Sequence, residues 1–127
     1  MGYILLVDDD AALREYSAQV LQQQGYEVRM AADGGAALAQ LTADPPALVL
    51  LDLGLPSVTG WGVLRELRAR HSMTPVICMT AAHAAPIEAQ RHGANGYLGK
   101  PFTREQLLDA VAGVLQPAAS RAPGSAT

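Results

Sequence analysis

Ala47-Leu-Val-Leu-Leu-Asp52 is the stretch on which the fold turns. Its apolar residues run without alternation, as in a strand covered on both faces of a parallel sheet, and the run stops on a carboxylate. Upstream, Tyr3-Ile-Leu-Leu-Val7 has the same character and stops at Asp8-Asp9-Asp10. Downstream, Pro75-Val-Ile-Cys-Met79 predicts a third strand of this kind, closed by Thr80. Asn95-Gly-Tyr-Leu-Gly99 is a shorter strand leading into Lys100-Pro101-Phe102, and alternation over residues 26–31 predicts a strand nearer an edge.

Helical spacing fills the intervals. Leu13, Tyr16, Val20 and Leu21 recur along residues 11–24, with Gly25 placed to end the helix. Asp33 caps a short alanine-rich helix that Asp44-Pro45-Pro46 breaks. Residues 61–70 form a third helix with Leu64 and Leu67 inward. A weak, short fourth is expected within residues 81–93, with Pro86 in its first turn. Thr103-Arg-Glu-Gln106 fits a capping box and opens a last helix with Leu107, Leu108, Val111, Val114 and Leu115 on its apolar side. After Gln116 the composition falls to Pro, Ala, Ser and Gly, so the expected division is one domain over residues 1–116 and a tail or linker over 117–127. Five strands, each followed by a helix, predict an α/β, doubly wound, five-stranded parallel sheet with five helices.

Composition narrows the function classes. A chain of 127 residues, half of them hydrophobic, fits one domain with a real core. The net charge of −3, with arginines scattered and Lys100 the only lysine, leaves no basic stripe for nucleic acid. Cys78 is the single cysteine and cannot form an internal disulfide. Met1 to Val7 lacks a basic leader, and no run approaches the roughly 20 apolar residues of a membrane span. The expectation is a soluble, cytoplasmic protein.

Ligands of such sheets gather at the carboxyl ends of the strands. There stand Asp8 and Asp9, Asp52, Thr80 and Lys100, far apart in sequence and brought to one rim. Clustered carboxylates repel at a cost on the order of several kcal/mol unless a cation compensates. Oxygen-only donors favour a hard ion: Mg²⁺, or alternatively Mn²⁺. A carboxylate nucleophile, a hydroxyl and an ammonium around such an ion suit phosphoryl transfer to an aspartate.

Ile4-Leu-Leu-Val-Asp-Asp-Asp10, Leu50-Leu-Asp-Leu-Gly-Leu-Pro56, Met79-Thr-Ala81 and Gly96-Tyr-Leu-Gly-Lys-Pro-Phe102 together resemble the four signature segments of the receiver domain of bacterial two-component response regulators. The resemblance covers about residues 2–116 and implies a flavodoxin-like sheet of strand order 2-1-3-4-5. It makes Asp52 the phosphoacceptor, and Asp9, Asp52 and the backbone carbonyl of Gly54 Mg²⁺ contacts, with Asp8 reaching the ion through water. It gives Lys100 the phosphoryl group as partner, a cis Lys100–Pro101 bond, and a switch through Thr80 and Tyr97 on the face of the fourth helix, fifth strand and fifth helix. The implied partners are a sensor histidine kinase or histidine phosphotransfer protein and a downstream protein or effector domain, with a homodimer on activation allowed and no role for nucleic acid or membrane. It further implies a signalling domain that phosphorylates itself from phosphodonors and dephosphorylates itself, and not a dedicated metabolic enzyme.

Blander readings stand beside these. Asp10 is best taken as a helix cap, Cys78 and Met79 as core, and Arg65, Arg68 and Arg70 as a solvated helix face. Histidines 71, 83 and 92 have no ligand spacing. Trp61 either covers the loop after Asp52 or is half exposed. Two departures from the family stand out: a short stretch between Thr80 and Lys100, and small residues at Gly54 and Ala82 that open the approach to Asp52. An aspartyl phosphatase of the haloacid dehalogenase type would carry an acid at position 54, where this chain has glycine. A flavodoxin-like cofactor module would need a phosphate-cradling loop after the first strand, where three aspartates stand. A pseudo-receiver that signals by contacts alone is the remaining alternative.

Overall fold

The computed structural model describes residues 2–55, 59–70, 72–81, 90–91 and 93–115. They form strands β1 (Ile4–Val7), β2 (Val28–Ala31), β3 (Leu48–Asp52), β4 (Val76–Thr80) and β5 (Gly96–Gly99). Helices α1 (Ala11–Gln23), α2 (Gly34–Ala43), α3 (Gly60–Ala69) and α4 (Arg104–Leu115) complete the set. The strands pair in parallel in the order β2-β1-β3-β4-β5, the order expected, with β2 on an edge. Four helices rather than five lie among the described residues. The helix expected within residues 81–93 falls mostly on 82–89 and 92, outside them, as do Ala82, His71, His83, His92 and the tail.

The pleat sorts the core. Leu5, Val7, Val49, Leu51 and Cys78 point to the face covered by α2 and α3, where they meet Ala37, Leu41, Val63, Leu64 and Leu67. Ile4, Leu6, Leu48, Leu50, Ile77 and Met79 point to the other face, against Val20 and Leu21 of α1 and Leu107 and Val111 of α4. Both faces are dry, which is why β1 and β3 read as unbroken apolar runs. Each such Leu or Ile contributes about 1.5–3 kcal/mol through burial.

Local chemistry sets the boundaries. Asp10 accepts from Leu13 N–H, Asp33 from Ala36 N–H and Thr59 from Gly62 N–H, capping α1, α2 and α3. Gly25, at φ +96°, ends the α1 region in the left-handed conformation. Thr103 and Gln106 exchange reciprocal bonds of 2.8 and 3.0 Å, a capping box on α4. Two expectations are corrected. Tyr16, counted on the inner stripe of α1, is exposed, and Ser17 occupies the buried position beside it. Arg68 is not a solvated surface residue: its guanidinium donates to the carbonyl oxygens of Ser72, Thr74 and Gly93 and to Asn95 Oδ1, tying α3 to the entry of β5. Arg65 and Arg70 are exposed. Trp61 is half-buried against the α2–α3 side of the core. No helix of the described residues is long and apolar enough to cross a membrane.

Candidate functional site

Register decides which residues share the rim. Val7 pairs with Leu51, Asp52 with Met79 and Thr80 with Gly99, so Asp8, Asp52, Thr80 and Lys100 emerge within a rung of one another along β1, β3, β4 and β5. Asp8 and Asp52 are buried and Asp9 is exposed, and one carboxylate oxygen from each lies within 4.8 Å of the others. Lys100 Nζ stands 3.0 Å from Asp8 Oδ2 and 3.4 Å from Asp52 Oδ2. The ammonium therefore bridges the two buried acids, and Asp9 is left without an ion pair or hydrogen bond to its carboxylate among the described residues.

A backbone group reaches the other carboxylate oxygen of each buried acid. Asp10 N–H donates to Asp8 Oδ1 at 3.0 Å, and Gly54 N–H donates to Asp52 Oδ1 at 3.0 Å. The turn carrying Gly54 is itself held by Leu53 N–H donating to Met79 O at 2.9 Å. At the other end of the rim, Lys100 N–H donates to Thr80 O at 2.9 Å, and the Tyr97 hydroxyl approaches the same oxygen at 3.4 Å, a long contact. Thr80 and Tyr97 are thus joined through one carbonyl, and Tyr97 packs half-buried against the core. The Lys100–Pro101 peptide bond is cis.

Electrostatics follow from this packing. Burial raises the Asp52 carboxyl above its ordinary range; the Gly54 N–H and Lys100 pull it back, and Asp8 adds to the rise. Burial would lower Lys100, but its bond to Asp8 and the charge of Asp52 outweigh that, so its ammonium is held above the usual range. One cation among three carboxylates leaves the rim net negative. The donor set is all oxygen, with two acids buried and one reaching solvent, which fits a hard divalent ion retaining part of its water shell. Cys78 belongs to the core, where burial pushes its thiol up to about 12.

Sequence reasoning located Asp8, Asp9, Asp52, Thr80 and Lys100 on this rim, and the structure brings them together. It missed Arg14, whose guanidinium donates to the Asp8 carbonyl oxygen at 2.7 Å. The available signal was a lone arginine four residues past a helix cap. Gly60, packed where a β-carbon would meet the backbone of Asp52 and Leu53, carried no such signal.

Residues 4–112 match the model of the response regulator receiver domain. The chain belongs to the receiver domain family of two-component response regulators. This receiver domain is 38% identical over 107 residues to the transcriptional regulatory protein HprR of Escherichia coli K12, covering 83% of the chain and 48% of that protein. It is 39% identical over 107 residues to the response regulator MprA of Mycolicibacterium vanbaalenii, covering 83% and 46%. The chain spans about half the length of the curated relatives it matches. Among solved structures, the receiver domain of NtrX from Brucella abortus superposes with a TM-score of 0.84 at 31% identity, covering 91% of this chain and 99% of that one. Chemotaxis protein CheY4 of Vibrio cholerae gives a TM-score of 0.83 at 34% identity, with the same coverage.

Proposed function

We propose that this receiver domain accepts a phosphoryl group onto Asp52 from a phosphohistidine of a sensor histidine kinase or histidine phosphotransfer protein. The observation that carries the reading is the Lys100 ammonium, 3.0 Å from Asp8 and 3.4 Å from Asp52, at a strand-end rim that also holds Asp9. A carboxylate oxygen of Asp52 attacks phosphorus, the phosphorus–nitrogen bond breaks, and its electron pair returns to the donor imidazole. The product is an acyl phosphate, which water later cleaves to aspartate and inorganic phosphate.

Asp8, Asp9, Asp52 and the backbone carbonyl of Gly54 would hold Mg²⁺, with Mn²⁺ as an alternative. The bound ion supplies charge neutralisation for the transferring phosphoryl oxygens. Lys100, freed from Asp52 Oδ2 as that oxygen is phosphorylated, meets a phosphoryl oxygen, and the Thr80 hydroxyl donates to another. Thr80 and Tyr97, already linked through the Thr80 carbonyl, would transmit the new dianion to the face of β5 and α4 as a population shift between two packings. A downstream protein or an effector domain in a longer chain would read that face, through a homodimer if activation pairs two copies. On this reading the protein works in the cytoplasm, where sensor kinases present their phosphohistidines.

The test is incubation with Mg²⁺ and a small acyl phosphate, followed by intact mass measurement. One added phosphoryl group on the wild type and none on Asp52→Asn is the expected result. No adduct on the wild type, or an adduct that survives Asp52→Asn, overturns it.

A further inference from the structure

Asp9 presents a problem that the rim does not solve directly. Its carboxylate is exposed and makes no hydrogen bond or ion pair among the described residues, yet its oxygen lies within the same 4.8 Å cluster as the buried Asp8 and Asp52. Something other than its own side-chain contacts must aim it. The two peptide planes that flank Asp9 are each tied. The plane after Asp9 is fixed through Asp10 N–H, which donates to Asp8 Oδ1 at 3.0 Å. The plane before Asp9 is fixed through Asp8 C=O, which accepts from Arg14 Nη1 at 2.7 Å.

That carbonyl stands where the chain leaves the sheet. Asp8 N–H still donates to Ala31 O at 3.2 Å, the last rung against β2, and the Arg14 guanidinium takes the Asp8 oxygen one step further on. Arg14 also closes the first turn of α1, its own N–H donating to Asp10 O at 2.9 Å. One residue therefore grips the Asp8–Asp10 loop from both sides, with backbone on Asp10 and side chain on Asp8.

We infer that Arg14 is a positioning residue for the cation site: by holding the Asp8 carbonyl it orients Asp9 towards Asp8 and Asp52. This rests on the reading of the rim as a Mg²⁺ site. Outer partners of metal ligands characteristically change affinity by about 10–100-fold when removed. The sign of the effect separates positioning from charge. Arg14 is a cation beside an acidic cluster, so its Coulombic influence opposes a second cation, and neutralising it should tighten Mg²⁺ binding if charge were its whole contribution.

Calorimetric titration of Mg²⁺ into the intact chain, at fixed ionic strength and without phosphodonor, tests this. The variants are Arg14→Gln, which removes the charge, and Arg14→Lys, which keeps the charge but not the fork; thermal melts without Mg²⁺ confirm that each is folded. Binding about 10-fold weaker in Arg14→Gln, with Arg14→Lys between it and the wild type, is the expected result. Affinity equal to or tighter than the wild type in Arg14→Gln overturns the proposal while leaving the metal reading intact. Absence of Mg²⁺ binding in the wild type overturns the metal reading and this inference with it. If Arg14→Gln does not fold, Arg14→Lys decides: unchanged affinity in a folded protein of unchanged charge overturns the positioning role, and weaker binding supports it.

Discussion

A β-carbon on Gly60 would lie 2.1 Å from the carbonyl oxygen of Asp52 and 2.5 Å from Leu53 Cα. Helix α3 thus begins in direct contact with the backbone of the proposed phosphoacceptor, a closeness open only to glycine. The contacts are backbone atoms, which cannot swing aside as a flexible side chain would. Gly60→Ala should destabilise the domain by roughly 2–3 kcal/mol or more and displace the turn after Asp52. Urea denaturation checks the first effect, and Mg²⁺ affinity the second. Wild-type values of both would show that α3 is free to move away.

Asp52 carries a stability cost of predictable sign. Its carboxyl is raised above the ordinary range mainly by burial, so the native state binds its proton more tightly than the unfolded chain. The stabilisation this gives is complete in acid, below the unfolded value, and is lost as pH rises through the native value. At neutral pH the charged carboxylate is therefore a burden in the metal-free protein. Asp52→Asn should raise the metal-free melting temperature at neutral pH. The difference should shrink towards zero in acid. Melting curves over a pH series measure it; a destabilised Asn variant at neutral pH contradicts the assignment of burial as the dominant cause.

Lys100 meets two carboxylate oxygens with one compact ammonium, largely shielded from solvent. A planar guanidinium at this position keeps the charge but needs more room and imposes a fork on oxygens that belong to different strands. Lys100→Arg should fold normally and be phosphorylated on the order of 10-fold more slowly by a small acyl phosphate. A rate equal to the wild type's would remove Lys100 from the proposed chemistry.

Ser17 Oγ is buried in α1 without a hydrogen-bond partner among the described residues. A hydroxyl so placed forfeits its bonds to water, at about 1–3 kcal/mol. Ser17→Ala removes the hydroxyl and nothing else, and should stabilise the domain by roughly 1 kcal/mol. Equilibrium denaturation with an unchanged slope reads this directly.

The sheet was legible because β1, β3 and β4 are buried on both faces, so their sequences carry an unbroken apolar signal that stops at the polar rim. That stop also exposed the site: Asp52 and Thr80 end their strands, Asp8, Asp9 and Lys100 closely follow theirs, and parallel topology does the rest. Arg14, Arg68 and Gly60 were not legible. Each acts through backbone atoms of residues distant in sequence or across a turn, and periodicity records only which side chains face inward. Tyr16 misled for a related reason: an aromatic ring at helical spacing scores as core, whereas the small Ser17 leaves no hydropathy signal although it is the buried residue.

The solitary lysine has one more consequence, which concerns reagents rather than phosphate. Every other Lys or Arg position in these 127 residues is an arginine, so within them an amine-directed acylating probe has two addresses, the α-amino group and Lys100. The first is a built-in reference. The second lies between Asp8 and Asp52, so the ratio of the two adducts becomes a direct gauge of how tightly the rim is closed.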